Sequence, residues 1–96
     1  MTKADIVTKI SDKLGIEKND VLATVETLMA EVKYSLESGD NVYLRGFGSF
    51  IVKTRAEKTG RNILKNTTIL IPAHNIPAFK PAKVFLEAIK ANVEVK

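Results

Sequence analysis

The sequence predicts an α+β fold: two N-terminal helices, three strands joined through an extended hairpin, and a C-terminal helix. Three observations predict it. Apolar residues recur at helical spacing through Leu36, the period shortens to two near Val42, and helical spacing returns after Pro81. The predicted order is ααβββα, and 96 residues leave room for one domain.

The elements follow in chain order. Thr2, followed three residues later by Asp5, has the spacing of a capping box. Ile6, Val7, Ile10 and Leu14 then share one helical face, and Gly15 ends the helix. A second helix is predicted from Lys18 to Ser38, with the stripe Val21, Leu22, Val25, Leu28, Met29, Val32 and Leu36. Asp20 suits its positive N-terminus, and Gly39 its end. Val42 and Leu44 alternate with Tyr43 and Arg45 in a short strand, and Gly46-Phe47-Gly48 turns the chain. A second strand starts near Ser49, with Phe50 and Val52 on one side and Ile51 and Lys53 on the other. A third spans Thr67–Ile71, and Pro72 belongs at an edge or strand end. Pro77 and Pro81 are expected to break the chain. Pro81 is placed in the first turn of a last helix carrying Val84, Phe85, Leu86, Ala88 and Ile89.

Several function classes are excluded. There is no cysteine, hence no disulfide and no thiolate metal site. The single histidine, His74, has no second ligand at metal spacing and reads as a surface or edge residue. Ser11, Ser35, Ser38 and Ser49 lack a base and an orienting group, and no Gly-rich phosphate loop occurs. No catalytic residue, cofactor or small-molecule substrate is therefore expected. No apolar run is long enough to span a bilayer, and the start lacks the apolar core of a signal peptide, so the expectation is a cytoplasmic protein without a membrane partner.

Charge is the positive signal. Residues 1–40 carry five Lys and eight acids, a net −3, whereas residues 41–83 carry eight Lys or Arg and one acid, a net +7. Such asymmetry points to a polyanion on one face. The cations concentrate in Lys53–Lys65, where five Lys or Arg accompany one Glu and too few apolar residues occur to bury a face. Set aside residues 53–75 as an arm, and a body of about 70 residues remains, formed by 1–52 and 76–96. Phe47, Phe50, Phe79 and the long stripe of the second helix offer more apolar surface than that body can cover. A homodimer with a shared core follows, carrying two arms by symmetry.

Arg45-Gly46-Phe47-Gly48-Ser49-Phe50, Gly60-Arg61-Asn62 and Ile76-Pro77-Ala78-Phe79-Lys80-Pro81, at these separations, resemble the bacterial HU and integration host factor family. The resemblance runs ungapped over nearly the whole chain. It implies an intertwined dimer with a helical base and two β-ribbon arms that embrace duplex DNA, entering the minor groove and bending it. It implies an HU-like, nucleoid-associated architectural protein with low sequence specificity. It also admits a heterodimer with a paralogue. Two other readings stand beside it: a sequence-preferring subunit like integration host factor, towards which Arg45 leans, and a protein-interaction module using the arm tip.

The resemblance assigns roles. Lys53, Arg55, Lys58, Arg61 and Lys65 are the expected phosphate contacts of the arm, with Asn62, Ile63 and Leu64 at its tip. Lys80 and Lys83 line the saddle between the arms, Arg45 touches phosphate at the body, and Lys3 lies on the flank. Phe47, Phe50 and Phe79 are expected in the dimer core. One departure matters. The family proline that wedges between base pairs is replaced by Ile63, an apolar wedge without a fixed φ. Asn66 takes the place of a turn glycine, and Lys65 adds a cation.

Overall fold

The computed structural model describes residues 1–62 and 67–95 and, at Arg61 and Asn62, the backbone alone. Two helices come first, α1 (Lys3–Leu14) and α2 (Lys18–Glu37). Five strands follow among the described residues: β1 (Val42–Leu44), β2 (Gly48–Arg55), β3 (Lys58–Asn62), β4 (Thr67–Ile71) and β5 (His74–Pro81). Helix α3 (Lys83–Asn92) closes the chain. The α+β class with its two leading helices and closing helix is as the sequence predicts.

Local chemistry sets the ends. The Asp5 amide donates to Thr2 Oγ1 at 3.3 Å and the Thr2 amide to Asp5 Oδ2 at 2.9 Å, a reciprocal capping box. Gly15 caps α1 in the left-handed region at φ 66°. Between β1 and β2 the Phe47 amide donates to the Leu44 carbonyl at 3.0 Å, closing a four-residue turn whose third residue, Gly46, has φ 81°. Gly48 is required for a different reason. A Cβ there would lie 2.6 Å from the Lys80 carbonyl oxygen and 2.6 Å from the Phe79 ring.

The body sheet has the antiparallel order β1-β2-β5, and β3 pairs with β4 in a separate two-stranded ribbon. This corrects the expected strand count and the expected effect of two prolines. The third strand of the body sheet is His74–Pro81, with Pro77 opposite Val52, whereas Thr67–Ile71 belongs to the ribbon. The Val52 amide explains how a proline fits. It donates to Asn41 Oδ1 at 3.0 Å, on the β1 side of β2. Val52 and Pro77 therefore form a non-hydrogen-bonded pair, and proline's missing N–H falls on the open edge of β5. Pro81, opposite Gly48, occupies the same kind of position. It ends the strand instead of starting the helix, and Ala82 is the N-cap of α3.

The described residues do not close a core by themselves. Among the described residues only Val7 and Val21 are buried hydrophobics, while Leu28, Met29, Phe47, Phe79, Leu86 and Ile89 are exposed. The radius of gyration is 18.9 Å, against about 13 Å for a compact domain of about 100 residues. No helix among the described residues is long and apolar enough to cross a membrane.

Candidate nucleic-acid interface

The ladder between β2 and β5 sorts side chains onto two faces. Its rungs run from Gly48↔Pro81 to Arg55↔His74, and alternate rungs point opposite ways. Phe50↔Phe79, Val52↔Pro77 and Thr54↔Asn75 share one face; Ser49↔Lys80, Ile51↔Ala78, Lys53↔Ile76 and Arg55↔His74 share the other. One face is thus aromatic and apolar near the body. The opposite face carries Lys80, Lys53, Arg55 and His74, all exposed.

The apolar face holds the phenylalanines. Phe47 and Phe79 have ring centroids 5.1 Å apart, and Phe50 and Phe79 are 5.0 Å apart. Phe85 of α3 joins them, stacked on Phe47 at 5.5 Å. Phe47 nevertheless stays 48% exposed and Phe79 39% exposed, so the cluster is half a core. By sequence spacing alone Phe85 belongs only to the apolar stripe of α3. The register that brings it beside Phe47 is a tertiary fact without a local signal.

At the body end, Arg45, Lys80 and Lys83 line one concavity, together with Gly46, Gly48 and Ser49. Helix α3 starts there with Ala82 as N-cap, which offers no side-chain acceptor. Its first amides and the positive end of its dipole favour an anion, and the cations around them add to that preference. Lys3 stands apart on α1, its Nζ 3.0 Å from Glu26 Oε1 across the α1–α2 pair. Both side chains are about half exposed, and the structure does not group Lys3 with the sheet cations.

Beyond the body sheet the ladder breaks on both strands. The last rung is Arg55↔His74 and the next is Lys58↔Ile71, so Ala56-Glu57 and Pro72-Ala73 pair with nothing in either sheet. We call this the elbow. Beyond it, the ribbon runs to Asn62↔Thr67 and exposes Lys58, Ile69 and Leu70. Ile71 lies over Gly60, its Cδ1 3.3 Å from where a Cβ would sit. Arg61 is opposite Thr68 in the ribbon. Ile63, Leu64 and Lys65 lie outside the described residues.

An antiparallel ribbon that extends a small sheet, basic on the face opposite its aromatics, defines a class of polyanion-binding proteins that grip by projecting arms. The profile of the family described as bacterial DNA-binding protein matches residues 1–90. The chain belongs to that family. It is 41% identical over 90 residues to the DNA-binding protein HU of Thermus thermophilus, covering 94% of this chain and 93% of that one. It is 40% identical over 91 residues to the SPbeta prophage-derived DNA-binding protein HU 2 of Bacillus subtilis, covering 95% and 99%. Integration host factor subunit alpha of Aliivibrio fischeri is 39% identical over 94 residues, covering 98% and 92%. Among solved structures, an HU of Anabaena cocrystallised with DNA superposes with a TM-score of 0.87 at 32% identity, covering 98% of this chain and 100% of that one.

Proposed function

We propose that this chain is an HU-like architectural protein that binds duplex DNA as a homodimer, with low sequence specificity, through the minor groove, and bends and compacts it in the nucleoid. One observation carries the reading: the β2–β5 register gathers Lys53, Arg55 and Lys80 on the face opposite the aromatic cluster. A strand pair built this way packs one face into a body and offers the other to phosphates. The Anabaena relative, of the same fold, was crystallised with DNA.

The dimer supplies what the single chain lacks. Two buried hydrophobics among the described residues are too few to hold the chain together. A second copy covering Phe47, Phe50 and Phe79 completes the core and sets two arms about a dyad. The saddle cations Arg45, Lys80 and Lys83 then hold the duplex centrally, and Lys53, Arg55, Lys58, Arg61 and Lys65 follow the phosphates outward. Asn62, Ile63 and Leu64 occupy the tip, where Ile63 acts as the wedge that unstacks a base step. Lys3 serves longer DNA from the flank. These roles need no enzyme chemistry and no cofactor.

Phosphate contacts position a protein without reading sequence, which is why low specificity goes with this cation set. Bending a short site costs on the order of 1–6 kcal/mol, and DNA that is already nicked avoids part of that cost. The test is a fluorescence-anisotropy titration of intact, nicked and random-sequence duplexes at two salt concentrations. The expected result is affinity that falls at least about 10³-fold between about 50 and 200 mM salt, with nicked DNA preferred. Salt-independent or absent binding would overturn the reading. A preference above about 10³ for one sequence would instead support the mode of integration host factor.

A further inference from the structure

We propose that the elbow of each arm seats one DNA backbone phosphate, and that His74 is its proton-gated ligand. This rests on the DNA-binding reading above and adds a residue and a control to it.

Three observations meet at one place. Arg55, Glu57, Lys58 and His74 line a single cleft where the body sheet stops and the ribbon begins. Arg55 and His74 are directly opposite on the last rung, so their side chains leave the same face. That face already carries Lys53 and Lys80. The cleft therefore continues a cationic line and ends it on an imidazole.

The ring's orientation supplies the gate. His74 Nδ1 lies 3.0 Å from the Pro72 carbonyl oxygen. A carbonyl only accepts, so Nδ1 carries the hydrogen. In the neutral ring the remaining nitrogen, Nε2, is then a bare acceptor and repels a phosphate oxygen. When a solvent proton adds at Nε2, the Pro72 bond is kept, the ring gains a charge, and Nε2 becomes a donor. One proton thus changes both the sign of the interaction and the direction of the hydrogen bond. Histidine is the side chain whose ordinary titration falls between about pH 5 and 8. The charged groups that line the cleft with the ring are Arg55, Glu57 and Lys58.

His74 is the sole histidine, so any imidazole signal belongs to it alone. The full-length protein is titrated with a random-sequence duplex from about pH 8 to about pH 6 at several salt concentrations. At exposed-pair strength in each of two arms, affinity should tighten about tenfold on acidification. The salt slope should steepen by about two, one counterion released per arm. His74→Gln should flatten the pH response, and His74→Arg should bind independently of pH. The single imidazole also gives a direct readout: its NMR titration midpoint should rise when the duplex is added. A pH response retained in His74→Gln, or an imidazole midpoint unmoved by DNA, overturns the proposal. Salt-dependent DNA binding that is flat with pH removes the elbow site alone. No binding at either pH removes the DNA reading with it.

Discussion

Truncating Phe79 measures how much of the core belongs to a second copy. In the single chain the ring is 39% exposed while touching Phe47, Phe50 and Phe85. A phenylalanine buries about 200 Å² when fully covered, so about 80 Å² is left for a partner to cover. At about 25 cal/mol per Å² that is about 2 kcal/mol per subunit, and about 4 kcal/mol per dimer because both copies change. Phe79→Ala should therefore weaken dimerisation about 10³-fold, since each 1.4 kcal/mol is tenfold. The part already packed within the chain adds an intrasubunit loss of about 3 kcal/mol by the same area argument. The assay is thermal unfolding over a 100-fold range of protein concentration, with sedimentation velocity alongside. For a coupled dimer that range is worth about 2.7 kcal/mol, so the wild-type midpoint should rise clearly with concentration. Phe79→Ala should unfold at a lower midpoint and sediment as a single subunit at low concentration. A wild-type midpoint independent of concentration, with the mass of one chain, would refute the shared-core argument.

Other consequences follow from particular contacts. Gly48→Ala should cost about 1–3 kcal/mol in urea denaturation, because its Cβ meets the Lys80 backbone and the Phe79 ring at 2.6 Å. Thr2→Ala should cost about 1 kcal/mol by the same method, through loss of the α1 capping box. Ile63→Ala should reduce the bend angle, read by fluorescence energy transfer between duplex ends, more than it reduces affinity. Equal angles in the two proteins would deny Ile63 the wedge role.

Local chemistry made the helical half readable. The Thr2–Asp5 spacing, Gly15 and the stripe of α2 each act within a turn or two, so their outcome depends on few distant residues. The Gly46 turn was legible for the same reason. The shortage of core was legible too, because apolar residues can be counted from the sequence. Strand β5 was not. Proline at Pro77 is a strand breaker by local rules, and only the side of β2 on which the Val52 amide donates shows that its missing N–H faces an open edge. The site divides in the same way. Lys53 and Arg55 share a face by simple alternation. That Lys80 and His74 join them depends on pairing between β2 and β5, which no local pattern encodes. His74 read as an isolated surface residue because its neighbour across the ladder is Arg55, nineteen positions earlier in the chain.

The basic face of the β2–β5 ladder can be tested by one slope. With Lys53→Gln and Arg55→Gln combined, each dimer loses four cations from that face. At about 0.9 per phosphate contact, the slope of log K against log salt for duplex DNA should become shallower by about 3 to 4. A double variant whose slope matches the wild type would show that these cations do not meet phosphates, and the account of the arm would have to be abandoned.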